Sequence, residues 1–184
     1  MNKKIIVSVL LLAVGLYGLT LLATPYLSTV LPNSSFGPGE VEALNITIDE
    51  DRVIIPKIGV NLEYRTGGEE ILNDYAWYRF PERGNPADGG NFILSAHRFD
   101  LGLTPSETRR KSPFFHINKL DVGDDILIHY RGQAYNYQIV ERKAASQFDQ
   151  TIEAVEDGVD KLTLYSCGLG GSGDLREIVT AVLR

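Results

Sequence analysis

A formal net charge of −6 over 184 residues offers no basic face of the kind that nucleic-acid binding normally needs. The single cysteine, Cys167, excludes an intrachain disulfide, while a 43% hydrophobic content with nine tyrosines suffices for a β-rich core. No P-loop, dinucleotide fingerprint or Gly-x-Ser-x-Gly elbow occurs, so nucleotide-dependent and serine-hydrolase chemistry have no motif to rest on.

The first predicted element is a membrane-spanning helix. Ile5 to Ala23 is an uncharged run of nineteen residues, about 29 Å at helical rise, close to the hydrocarbon thickness of a bilayer. Lys3 and Lys4 precede it, which by the positive-inside rule places the N-terminus in the cytoplasm. The run exceeds a signal-peptide apolar region, and Ala23-Thr24-Pro25 is a poor cleavage site. Residues 1–23 therefore read as a cytoplasmic stub and signal anchor. Residues 24–51, with Pro25, Pro32, Pro38 and the cluster Asn33-Ser34-Ser35, read as an extracellular linker.

Residues 52–184 read as one globular domain. Val53 to Val60 is β-branched and predicts a strand, with Pro56 at an edge or bulge. Asn91 to Ala96 is an apolar strand ending at His97. Ser112-Pro113 resembles an N-cap followed by proline at the first helical position, and predicts a short helix into Phe114-Phe115-His116-Ile117. Asp124 to Ser146 is a hairpin with Arg131-Gly132 near its turn, and Thr151 to Asp157 predicts one or two helical turns. Lys161 to Cys167 alternates as a strand, the glycine-rich segment 168–173 follows, and Glu177 to Leu183 closes the chain as another strand. Many short strands with no βαβ alternation predict an all-β barrel or sandwich with peripheral helical turns.

The lone thiol at a strand end is the candidate nucleophile. A cysteine attacks a carbonyl only as thiolate, which requires a base or a cationic field. Of the three histidines, His129 falls inside the hairpin and reads as a surface or cross-strand residue, while His116 follows two phenylalanines and reads as packing. His97 ends a strand, where scaffolds present functional side chains. Arg176, nine positions after Cys167, reaches the thiol if the last two strands are neighbours, and a guanidinium there stabilises an oxyanion. A buried, idle cysteine is the competing reading of the same residue. The histidines lack metal-ligand spacing, and Glu153, Glu156, Asp157 and Asp160 read as a solvated acidic loop rather than a calcium site, so no metal is expected.

These segments together resemble the sortases, membrane-anchored cysteine transpeptidases of bacterial surfaces. Leu162-Thr163-Leu164-Tyr165-Ser166-Cys167 is similar to the family's T-L-x-T-C signature, with Ser166 replacing threonine. Gly89 through Arg98 resembles its G-N-x-x-[IL]-[AS]-[GA]-H-R segment, and Arg176 to Leu183 its closing arginine strand. Ile55-Pro56-Lys57-Ile58-Gly59-Val60 matches its I-P-K-I-x-V opening, and Phe115 through Asp124 a shortened F-x-x-L-x-x-L-x-x-G-D run.

The resemblance implies a closed eight-stranded β-barrel, with Cys167 as nucleophile, His97 as general acid/base and Arg176 as oxyanion and substrate-positioning group. It implies cleavage of an LPxTG-like sorting signal between Thr and Gly, through a thioester, without a cofactor. The expected partners are surface proteins bearing that C-terminal signal and an amine acceptor, such as a peptidoglycan precursor or a pilin lysine. The expected location is the bacterial cell membrane, single-pass, with the catalytic domain on the extracellular face. Ser95, Ala96, Thr163, Tyr165 and Ser166 around the nucleophile, and Phe148 and Ile152 in the segment 143–161, are the candidate substrate-binding residues. Two alternatives stand beside this reading. An L,D-transpeptidase-like enzyme would place an arginine within an S-x-G-C-x-R run, which the chain lacks. A membrane-tethered β-barrel binding module would carry Cys167 as a non-catalytic core residue.

Overall fold

The computed structural model describes residues 3–27, 50–154, 158–167 and 175–184, with the backbone alone at 24–27 and at Cys167. Helix α1 (Lys3–Leu27) contains the apolar stretch Lys3–Ala23, whose mean hydropathy is 2.6 and which is long enough to cross a membrane. Of the predicted linker, residues 28–49 lie outside the described residues, as does the glycine-rich segment 168–174.

The domain begins with a hairpin rather than the single strand expected over Val53–Val60. Strand β1 (Arg52–Ile55) gives way to a 3-10 turn over Pro56–Ile58, and β2 (Val60–Arg65) returns antiparallel, with Ile55 opposite Val60. Pro56 starts the turn because its fixed φ suits a helical first position and it has no N–H to leave unpaired. Gly59, at φ +67, ends it in the left-handed region.

Strands β3 (Ala76–Arg79), β4 (Gly84–Asn85) and β5 (Gly89–Ser95) follow. The short helix then departs from expectation. It is α2 (Pro105–Arg110), eight residues before the predicted site, whereas residues after Ser112 form turns and a 3-10 segment at Ile117–Lys119. Thr104-Pro105-Ser106-Glu107 carries the stronger start signal: the Glu107 N–H donates to Thr104 Oγ1, and the Glu107 carboxylate accepts from the Leu103 N–H. The Ser112 hydroxyl instead bridges the Asp100 N–H and carbonyl, which ties the loop after His97 to the segment before Phe114.

Strands β6 (Asp125–Tyr130) and β7 (Gln133–Ser146) form the expected hairpin, turning at Arg131 and Gly132 with φ of +50 and +77. Two consecutive positive φ values match the right-handed twist of the flanking strands. The register of β7 shifts between Ile139 and Glu141, letting this long strand curl around the barrel. A 3-10 segment at Gln150–Glu153 fulfils part of the helical expectation over Thr151–Asp157, of which 155–157 lie outside the described residues. Strands β8 (Lys161–Cys167) and β9 (Leu175–Leu183) complete the chain.

The sheet order β3-β2-β1-β6-β7-β9-β8-β5 closes on itself through pairing of β3 with β5, giving an eight-stranded barrel, with the two-residue β4 appended to β5. Closure removes exposed strand edges. Alternate residues fill the interior, including Phe92, Leu94, Ile126, Ile128, Leu162, Leu164 and Val179. Phe92 stands edge-on to Tyr64 and Tyr78, at centroid distances of 5.4 and 4.8 Å. A smaller apolar cluster, Ile93, Ile152, Tyr165 and Ile178, lies on the outer face of β5, β8 and β9. The 3-10 segment carrying Ile152 covers part of that face.

Candidate active site

Three strands bring the predicted chemical residues to one end of the outer face. β8 and β9 are antiparallel neighbours, and Cys167 pairs directly with Arg176. β5 runs parallel to β8 with Ser95 opposite Tyr165, so His97 and Cys167 each lie two residues beyond the same register point. The alignment continues past the end of β5, since the Ala96 N–H donates to the Tyr165 carbonyl at 3.4 Å. The His97 carbonyl accepts from the Phe114 N–H at 3.1 Å, which anchors the backbone of this partly exposed histidine on its other side.

By strand alternation, position 167 has the parity of Thr163 and Tyr165, and position 176 that of Ile178. The outer apolar cluster is therefore the floor of the surface that leads to Cys167. Neighbouring Arg98, of opposite parity to His97, is buried, and its Nη1 lies 3.0 Å from Oε1 of Glu177, the residue after Arg176. This ion pair joins the exit of β5 to the start of β9 beneath the candidate residues.

An ionic cluster occupies the same outer face. One Glu153 oxygen, Oε1, lies 2.8 Å from Arg79 Nη1 and 3.6 Å from Arg176 Nη1, and it accepts a 2.8 Å hydrogen bond from the Tyr165 hydroxyl. Arg79 also donates to the Tyr165 oxygen, and Arg83 Nη1 donates to the Glu153 carbonyl at 2.6 Å. The Arg176 guanidinium sits 4.7 Å over the Tyr165 ring, a cation–π contact that orients it beside the β8 strand end. Burial first, and then the Glu153 carboxylate, push the Tyr165 phenol up to about 12, so it serves as a neutral donor.

The candidate substrate residues divide between the two faces. Tyr165 and Ile152 belong to the outer cluster, and Ser95 is buried beside them in register with Tyr165. Thr163 is buried, donating to Asn91 Oδ1 at 2.7 Å. Ala96 packs in the barrel interior, and Ser166 is buried with the interior parity of Leu164. Phe148 is exposed in the loop before the 3-10 segment. Arg79 and Arg83 escaped the sequence reading, although Ala76-Trp77-Tyr78-Arg79 alternates as a strand and could have placed Arg79 on one face with Trp77.

The other histidines sit elsewhere. His116 packs edge-on against Phe115, at 4.9 Å between centroids. His129 is buried rather than on the surface, with its Nε2 lacking a partner among the described residues. Burial, and secondarily Arg52, hold its imidazole below the usual histidine range. Among the described residues no group of His, Cys, Asp and Glu is arranged to hold a metal ion. Glu153 faces arginines and Asp160 accepts from the Gly90 N–H, while Glu156 and Asp157 lie outside the described residues. A depression of about 770 Å³ near the β6–β7 turn, lined in part by Tyr64, Tyr78, Tyr130 and Arg131, contains none of the candidate catalytic residues.

The eight-stranded barrel thus brings Cys167 and Arg176 opposite each other across adjacent strand ends, with His97 just past the end of the neighbouring β5. The Sortase domain profile matches residues 53–184. The chain thus belongs to the sortase family of cysteine transpeptidases. No curated protein matches it at comparable stringency. Among solved structures it is similar to sortase C1 of GBS pilus island 1, with a TM-score of 0.63 and 24% identity, over 74% of this chain and 64% of that one. It thus spans slightly less than two thirds of that relative. It is similar to a Clostridium perfringens sortase D5 transpeptidase, with a TM-score of 0.61 and 24% identity over 82% of this chain and 90% of that one. A Clostridium perfringens sortase C, solved with the C-terminal cell wall sorting motif, matches with a TM-score of 0.60 and 23% identity over 72% of this chain and 69% of that one. At these identities the structural likeness speaks for the fold.

Proposed function

We propose that this chain is a membrane-anchored transpeptidase that cleaves an LPxTG-like sorting signal between Thr and Gly and joins the acyl fragment to an amine. The observation that carries this reading is the strand register, which pairs Cys167 with Arg176 and sets His97, two residues past the end of β5, as far beyond the Ser95–Tyr165 pair as Cys167 is. Helix α1 supplies the anchor, with the catalytic domain on the extracellular face.

The chemistry follows from the three groups. The Cys167 thiolate attacks the threonine carbonyl carbon, and Arg176 donates to the oxyanion that forms. The tetrahedral species collapses as imidazolium His97 gives its proton to the departing glycine nitrogen, leaving a thioester and neutral imidazole. An incoming amine, from a peptidoglycan precursor or a pilin lysine, attacks the thioester and loses a proton to His97. The Cys167 thiolate departs and the starting state is restored.

The full chain in detergent, incubated with a fluorogenic LPxTG-type peptide library and an amine, tests this reading against Cys167→Ala and His97→Ala variants. Turnover with a thioester on Cys167 detectable by mass spectrometry is expected. Cleavage that persists in Cys167→Ala overturns the mechanism.

A further inference from the structure

Three guanidinium groups, on Arg79, Arg83 and Arg176, gather around the single carboxylate of Glu153. Among the described residues the arginines outnumber the acids paired with them, since the further acid in reach is exposed Glu82, 3.9 Å from Arg83. Such an excess is costly where the groups are largely withdrawn from water, and these side chains are 14–32% exposed. Arg79 shows the deficit most directly, since its Nε is buried with no hydrogen-bond partner among the described residues. Around it the site is built from rings. The Arg79 guanidinium lies 4.5 Å over the Trp77 ring and 4.7 Å over the Phe80 ring, and the Arg83 guanidinium lies 3.9 Å over the same Phe80 ring. Phe80 adopts a left-handed backbone at φ +51, a conformation costly for an aromatic residue, and thereby stands beside both arginines.

The position relative to the reaction follows from register. The leaving amine must meet His97 where β5 and β8 end, so the acyl part of the substrate runs back along β8 over Tyr165. Tyr165 is two residues from Cys167, and Arg79 is paired with Ile93, itself opposite Thr163, four residues from Cys167. At about 3.3 Å per residue, a side chain two to four positions upstream of the attacked carbonyl reaches this cluster.

We propose that the Arg79–Arg83 cluster is a specificity subsite for a carboxylate side chain of the substrate, two to four residues before the scissile bond. The inference rests on the transpeptidase reading and adds the charge of the substrate. An aspartate or glutamate entering there receives the planar donors of the arginines, including Arg79 Nε, and offsets the surplus charge. Glu153 and Tyr165 form the other wall and hold the guanidinium groups in place when the subsite is empty.

The test uses the full chain in detergent and Thr-Gly peptides in which each of three upstream positions is set in turn to Glu, Gln, Leu or Lys. The readouts are kcat/KM and thioester formation on Cys167. At one position Glu is expected to exceed Gln by about tenfold to hundredfold, with Lys poorest, as suits a hydrogen bond to a charged group. Arg83→Gln, at a partly exposed site, and Arg79→Gln are expected to reduce that Glu-to-Gln ratio towards one. The ratio compares two substrates on the same enzyme, so a general loss of stability does not alter it. Equal reaction of Glu, Gln and Leu peptides at all three positions, or a ratio unchanged in both variants, overturns the subsite and leaves the transpeptidase standing. If no peptide acylates Cys167, the transpeptidase reading falls and the subsite with it.

Discussion

Arg98 Nη1 and Glu177 Oε1 stand 3.0 Å apart at the mouth of the barrel, next to His97 in one strand and Arg176 in the other. The pair joins two elements separated by 79 positions in sequence, and its Arg98 side chain is only 6% exposed. Removing Glu177 leaves a buried guanidinium without its partner, whereas removing both groups does not. Glu177→Ala is therefore expected to lower unfolding stability by about 2 kcal/mol. The double variant Arg98→Met with Glu177→Ala should lose less than the sum of the single variants. Urea unfolding of the four members of the cycle measures this, and strict additivity would show that the pair carries no coupling.

On the proposed mechanism, His97→Ala should slow thioester formation by about a hundredfold to ten-thousandfold, the usual loss of a general acid. Arg176→Ala should slow it by about a hundredfold to a thousandfold. Arg176→Lys should recover little, because an ammonium does not reproduce the planar donor set that spans Tyr165 and Glu153. Single-turnover acylation followed by mass spectrometry separates these effects from the later aminolysis step.

Glycine positions provide a contrast between backbone conformation and space. At Gly132, φ is +77 and an added Cβ meets nothing within 4 Å, so Gly132→Ala should cost only the left-handed backbone penalty, about 1–2 kcal/mol. At Gly90, φ is +83 and the added Cβ would stand 2.5 Å from the Arg83 carbonyl oxygen. Gly90→Ala must displace backbone at the foot of β5 and should destabilise more than Gly132→Ala. Thermal unfolding of both variants gives the order, and equal losses would contradict it.

His129 adds a pH dependence on the acid side. Its folded pKa is depressed by burial and by Arg52, so the unfolded chain binds a proton more readily than the native one. The stabilising contribution is complete above the unperturbed value of 6.5 and is lost as pH falls through the lower folded value. His129→Phe is expected to flatten the decline of stability below pH 6.5 relative to the native chain. Unfolding midpoints measured across acidic pH check this, and parallel profiles would remove His129 as a contributor.

Much of the barrel was legible as alternation. Asn91–Ala96, Lys161–Cys167 and Glu177–Leu183 each match an observed strand within two residues, because a sheet with one face inward repeats every second side chain. The I-P-K-I run reads as one strand by its β-branched residues, yet Pro56 together with Gly59 turns the chain. The helix at Thr104 was overlooked because Ser112-Pro113 offers the same local signal, and only the Glu107 carboxylate, free to reach back to Leu103, separates them. His129 was read as a surface or cross-strand residue, since alternation shows which face a residue takes but not how deeply neighbouring strands cover it.

Sequence by itself determined the apolar N-terminal stretch, the strands that lead to Cys167, His97 and Arg176, and the motifs that resemble the sortases. These depend on side-chain type at short spacing, where the chain's own geometry is enough. The tertiary structure alone decided that Cys167 lies opposite Arg176, that β5 runs beside β8 with Ser95 opposite Tyr165, and that Arg79, Arg83, Glu153 and Tyr165 share one outer face. Arg79 and Glu153, for example, are 74 positions apart in the sequence. Barrel closure and register set such relationships, and no local pattern encodes which strand lies beside which.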